Sequence, residues 1–143
     1  MPGVIPDEGE AQVLNISLGK VASESTELRL YTNNRTPGLT DIATNYTEMT
    51  GQGYAKKTLA AAAWTVTPAD TGTNTPAKGT TAAQTFTFSI AGGPTSVYGY
   101  YLVGATSGKL WGAELFSDGP YSVANAGDEI TITPTLRLRS EYP

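Results

Sequence analysis

This sequence predicts an all-β chain, an antiparallel β-sandwich or jelly roll in a single domain, on three observations. Over residues 130–139, Ile130, Ile132, Pro134, Leu136 and Leu138 hold the even positions, and Thr131, Thr133, Thr135, Arg137 and Arg139 the odd ones. Side chains alternate faces along a strand, so this pattern sets an apolar face inward and a polar face outward. Residues 97–138 as a whole read as strand-like stretches joined by short glycine turns. The chain is 143 residues long and has no cysteine. That length suffices for one core without a disulfide or metal staple, and the absence of cysteine leaves the redox compartment undetermined.

Each element has its own local warrant. Residues 1–10 hold two prolines, two glycines and three acids, which predicts an extended N-terminal arm, with residues 11–143 forming the domain. Residues 11–18 are a first strand, with Val13 on one face against Leu14, Ile16 and Leu18 on the other. Residues 27–31 are a second, where Leu28 and Leu30 alternate with Glu27, Arg29 and Tyr31. The run Asn33-Asn34-Arg35-Thr36-Pro37-Gly38 is a loop of turn formers. Residues 40–46 are long enough for one helical turn, capped by Thr40 or Asp41.

Residues 56–66 pit four alanines, which favour helix, against flanks that favour strand, and the segment is expected to be mostly extended. Residues 70–83 carry hardly any apolar bulk and read as an exposed loop. Residues 85–90 return to alternation, with Phe86, Phe88 and Ile90 on one face. Residues 97–106 and 109–116 flank Ser107-Gly108, a two-residue hairpin turn. That register sets Gly104 opposite Trp111 and Tyr101 opposite Glu114. Residues 121–123 and 129–138 are expected to form a second hairpin around Asn125-Ala126-Gly127-Asp128. Pro134 cannot donate to a ladder, so the last strand is an edge or is bulged there. The count is about eight strands.

The chemistry on offer is thin. With neither His nor Cys, the chain lacks Ser-His and Cys-His nucleophile pairs and ordinary zinc ligands, so a catalytic role and a cofactor are not expected. Glu114 with Asp118 or Glu48 could mimic a glycosidase pair, although a strand Glu is commonly an edge charge or a tyrosine partner. Asp118, Asp128 and Glu129 could gather around calcium, or simply cap turns. The formal net charge of −4 argues against nucleic acid as a partner. The one adjacent basic pair, Lys56-Lys57, fits a solvated strand edge. No 18-residue apolar run or secretion-type leader is present, which predicts a soluble protein without a membrane partner. Tyr98, Tyr100, Tyr101, Trp111 and Tyr121, with Val4 and Ile5 from the arm, are the candidate interface residues. The same aromatics suit a core or a sugar platform.

Several stretches resemble a group of small tailed-phage virion proteins. They are Pro6-Asp7-Glu8-Gly9-Glu10, Leu28-Arg29-Leu30-Tyr31-Thr32-Asn33-Asn34 running to Pro37, and Gly53-Tyr54-Ala55 with Trp64 beyond. Ser117-Asp118-Gly119-Pro120-Tyr121, followed by Ala126-Gly127-Asp128, completes the set. The resemblance implies a virion component made in the host cytoplasm and carried on the capsid surface. Its leading role there is capsid decoration (cement), bridging neighbouring major capsid protein subunits as a homo-oligomer, expected to be a trimer. Tail, collar or fibre-adaptor roles with receptor or glycan binding are the alternative. The motifs look architectural, so no functional residue transfers with them.

Overall fold

The computed structural model describes residues 3–69, 72 and 75–138. Among these, eleven strands and one α-helix make an all-β chain, and every strand pairing is antiparallel. The largest sheet has the order β2–β1–β7–β8, from β1 (Thr26–Tyr31), β2 (Lys57–Leu59), β7 (Gly99–Gly104) and β8 (Leu110–Leu115). A three-stranded sheet runs β11–β4–β3, from β3 (Thr65–Thr67), β4 (Ala77–Thr80) and β11 (Thr135–Leu138). Two ribbons complete the fold, β10 (Glu129–Ile132) with β5 (Gln84–Thr87), and β6 (Thr95–Val97) with β9 (Tyr121–Val123).

All six residues of β7 are buried. Tyr100 and Leu102 point into the main core with Leu28, Leu30, Phe86, Phe88, Val97, Val123, Ile130 and Ile132. Tyr101 and Val103 point the other way, into a second cluster with Tyr31, Tyr46, Leu110 and Ala113. The alternation of residues 129–132 and of Phe86 and Phe88 is realised as inward burial, whereas Ile90 is 60% exposed.

The N-terminus departs from expectation. Residues 1 and 2 lie outside the described set, and of the described residues in the expected arm only 3–6 run extended, with Val4 bridging Ala113 on the outer edge of β8. From Asp7 to Ser17 the chain is a helix, α1, which replaces the strand expected over residues 11–18 and crosses the boundary drawn at residue 10. The reason lies in its ends. Asp7, Glu8 and Glu10 sit in the first turn, where the helix dipole favours acids. Gly19 takes φ 67° just past the end. The Gly19 N–H then bonds the Ile16 carbonyl at 3.0 Å and the Lys20 N–H the Asn15 carbonyl at 2.8 Å, the two bonds of a Schellman stop.

Three expected strands are split, which raises the count. Residues 56–66 become β2 and β3 around a 3₁₀ turn at Ala61–Ala63. The 97–106 strand begins at Gly99, because Thr95–Val97 belong to the ribbon with β9. Residues 129–138 break at the fully buried Pro134, and the two halves pair with different strands, β5 and β4. β9 and β10 are therefore not a hairpin: the turn at residues 125–128 carries the chain from one ribbon to the other. Residues 77–80, read as loop, are β4. Residues 70, 71, 73 and 74 of that loop lie outside the described set, as does Arg139. A 3₁₀ turn at Ala43–Asn45 fills the place of the predicted helical turn, with the Ile42 N–H bonded to Asn45 Oδ1 at 2.9 Å.

The β7–β8 register also differs by one residue. Tyr100 faces Glu114 and Tyr101 faces Ala113, and the ladder slips at Leu102/Val103 so that Trp111 is bulged. Gly104 and Lys109 close a four-residue loop, wider than a Ser107-Gly108 turn. The cause is Glu24, whose Oε2 accepts the N–H groups of Thr106 at 2.7 Å and Ser107 at 2.8 Å. Gly104 leaves room for that carboxylate rather than for an indole.

Helix α1 meets β8 at Gly9. A Cβ there would lie 2.8 Å from the Trp111 carbonyl oxygen and 2.9 Å from that of Leu110. In an open helix Gly→Ala stabilises by about 1 kcal/mol. Here the sign reverses: Gly9→Ala is expected to lower the unfolding free energy by about 1–3 kcal/mol through overpacking. Urea unfolding measures it, and an equal or raised midpoint would contradict the close approach.

Candidate functional site

The register of the three-stranded sheet builds an apolar row. Val66 on β3 stands beside Gly79 on β4, which stands beside Leu136 on β11, with Ala77 beside Leu138 two residues along. Residues opposed across antiparallel strands share a face, and so do residues two apart. Trp64, two residues before Val66, lays its ring over Gly79, and its Nε1–H donates to Thr26 Oγ1 at 3.2 Å. Across from this face stand Ile5, Val13 of α1, and the bulged Trp111 of β8.

Together these residues enclose a cleft of about 300 Å³, with Glu24 and Lys78 also on its lining. Its mouth is apolar too: Val66 is 73% exposed and Leu138 46% exposed. Trp111 Nε1 is buried and has no hydrogen-bond partner among the described residues. The arrangement suits an apolar side chain or small apolar ligand, and a carbonyl or hydroxyl would satisfy the indole N–H.

Carboxylates fix the wall that α1 provides. Glu24 accepts the Thr106 and Ser107 amides, the Ser107 hydroxyl at 2.7 Å and Gln12 Nε2 at 3.0 Å. Burial pushes this carboxyl up, but the Ser107 hydroxyl and the two amides together outweigh it and hold it below its ordinary value. Glu8 accepts the Leu110 N–H at 2.8 Å, with Lys109 Nζ 3.6 Å away. Both ends of the β7–β8 loop are thereby tied to the N-terminal segment.

The predicted interface residues scatter. Ile5 and Trp111 do come together in the cleft, and Val4 is half-buried on the β8 edge. Tyr100 and Tyr101 are only 4% and 2% exposed, on opposite faces of β7, so neither offers a contact surface. Tyr100 donates to Glu114 Oε2 at 2.8 Å, and Tyr101 stacks on Tyr46 with ring centroids 5.2 Å apart. Burial raises both phenols' pKa values. Tyr98 is half-buried against the second cluster. Tyr121 packs on Phe116 and donates to Asp118 Oδ1 at 2.5 Å. Trp64, Val66, Leu136, Leu138 and Val13 are not among the candidate interface residues; the alternation at 64/66 and 136/138 is the signal that marks four of them.

The other carboxylates singled out have local partners. Glu48 takes Arg29 Nη1 at 3.0 Å and the Tyr54 hydroxyl at 3.1 Å, so it serves a network distinct from Glu114. Asp128 Oδ2 accepts the amides of Ala124 and Asn125, both at 2.9 Å, which is turn capping. Glu129 takes the Thr87 hydroxyl at 3.0 Å. Lys56 pairs with Glu27 at 3.0 Å at the β2 edge of the sheet. No protein-family model matches the chain, and no curated protein or solved structure matches it.

Because the folded Glu24 carboxyl titrates below its unfolded value of about 4.5, its stabilisation is full above that value and is lost as pH falls through the lower folded one. Glu24→Gln is therefore expected to cost about 1 kcal/mol near neutrality and to flatten the stability loss on acidification below about pH 5. Denaturant midpoints across pH read both effects. A parallel shift at all pH values would contradict the role of the charge.

Proposed function

We propose that this chain is a structural protein of a tailed-phage virion, which decorates the capsid and stabilises it by bridging neighbouring major capsid subunits. The observation that carries this reading is the tryptophan-lined cleft, an apolar recess whose mouth is formed by exposed Val66 and Leu138. Exposed apolar surface around a recess is the physical mark of a docking site for another protein. The motifs similar to tailed-phage virion proteins supply the choice of partner. Those motifs are occupied here in architecture: Pro6 to Glu10 start α1, Leu28 to Tyr31 lie in β1, and Asp128 caps a turn.

The polar side chains fit a docking role as well. Glu24, Glu48 and Glu114 each hold hydrogen bonds that fasten segments of the fold together, and Asp118 holds the nearby Tyr121 hydroxyl. A bridging protein repeated over a shell needs only modest contacts, because copies on a symmetric lattice act together.

The test is to compare particles assembled with and without the chain. Decorated particles should withstand higher temperature, and the chain's density should lie between capsid subunits. Val66→Asp with Leu138→Asp should strip the chain from shells while leaving its circular dichroism unchanged. Copies found only on a tail or collar, or particles equally heat-resistant with and without it, would overturn the reading.

A further inference from the structure

Helix α1 is turned inside out. It buries Gly9 and Gln12 against the body and leaves Leu14 59% and Leu18 63% exposed. A helix on a globular domain ordinarily turns its apolar stripe to the core. Here the inward face is chosen for close approach and for a hydrogen bond, Gly9 against β8 and Gln12 to Glu24. Leu14 and Leu18 point the other way.

The outward row is regular. Asp7, Ala11, Leu14 and Leu18, all exposed, stand at i, i+4, i+7 and i+11, the spacing of a helix–helix seam. Val21, 41% exposed, follows the Schellman turn. Leu39, 63% exposed, lies at the other end, where its carbonyl takes the Asp7 N–H at 2.8 Å. One exposed leucine needs no explanation, but a row of them does.

Charge identifies the occupant. Asp7 and Glu10 lie at the start of the row and Lys20 just past its end, all exposed, and none of the ion pairs among the described residues uses them. The strip is acidic at one end and basic at the other, so it is complementary to itself when reversed. We propose that α1 is a self-association surface, pairing antiparallel with α1 of a second copy across Leu14 and Leu18, with each acidic end facing the other copy's Lys20. A two-fold axis near Leu14 satisfies both ends at once.

An 11-residue helix offers less than the roughly 1,600 Å² of a standard interface, so the contact is weak and concentration-dependent. It leaves the cleft open, since Val13 faces the cleft and Leu14 is turned about 100° from it. The proposal stands apart from the virion reading.

Sedimentation equilibrium at low salt, over roughly 10 μM to 1 mM, tests it. The wild type should rise from monomer toward dimer mass with concentration. Leu14→Glu with Leu18→Glu should weaken the dimer by about tenfold or more, since each copy then brings two charged groups to the seam in place of apolar ones. Lys20→Glu should weaken it further than added salt does, and Glu10→Lys in the same chain should restore it. Thermal melts confirm that these surface variants fold. A wild type that stays monomeric throughout overturns the proposal, as does a dimer indifferent to the leucine pair. So does a monomer whose leucine variants lose binding to a capsid subunit, because the strip then belongs to a different partner.

Discussion

β7 is buried along its whole length and on both faces, and the remaining elements answer that constraint. A strand of this kind needs an apolar layer on each side and a paired neighbour on each edge, since an unpaired buried polar group costs about 1–3 kcal/mol. β1 and β8 supply the edges over nearly the full strand. The two ribbons cover one face with Phe86, Val97, Val123, Ile130 and Ile132. The other face is closed by Tyr31, Tyr46 and their neighbours, whose rings stack and tilt at 5.0 to 6.3 Å. Even the tyrosine hydroxyls on β7 are provided for, Tyr100 by Glu114 and Tyr101 by the neighbouring Arg29.

β8 is then the exposed edge of the main sheet, and the N-terminal segment closes it. Val4 exchanges both backbone hydrogen bonds with Ala113, at 2.9 and 3.0 Å, and Glu8 takes the Leu110 amide. Covering an edge in this way removes a template for uncontrolled strand addition. The cleft is a by-product of the same arrangement. The bulge at Trp111 and the approach of Gly9 hold α1 close to β8, while the three-stranded sheet stands over them on the far side of the recess. Its filling stops short of Val66 and Leu138. A recess left by the geometry of the core edge thus becomes an apolar surface open to a partner.

The sequence was most legible where burial is one-sided. Alternation located β1, β5 and β10 because polar residues mark their outer faces. It failed at residues 11–18, where Leu14 and Leu18 face solvent and Gly9 and Gln12 face the core, so hydropathy points the wrong way. The punctuation there was readable all the same, acids after Pro6 and a glycine at position 19. β4, Ala-Lys-Gly-Thr, carries no strand signal of its own and is extended only because β3 and β11 pair with it. The hairpin register was hidden because Glu24, 82 residues before Thr106, widens the loop. Of the candidate site, Ile5 and Trp111 were legible, whereas aromatic content alone could not tell Tyr100 and Tyr101 from surface residues. Both lie in a strand whose two faces are core.

Native-state hydrogen exchange, read residue by residue, tests the central role of β7 most directly. Its amides, with those of β1 facing them, should exchange only through global unfolding and share one opening free energy. Those of α1 should exchange through a smaller opening, since the helix is held by one close approach and a few side-chain bonds. If β7 opened locally, or no more slowly than α1, the strand would not be the element on which the fold depends.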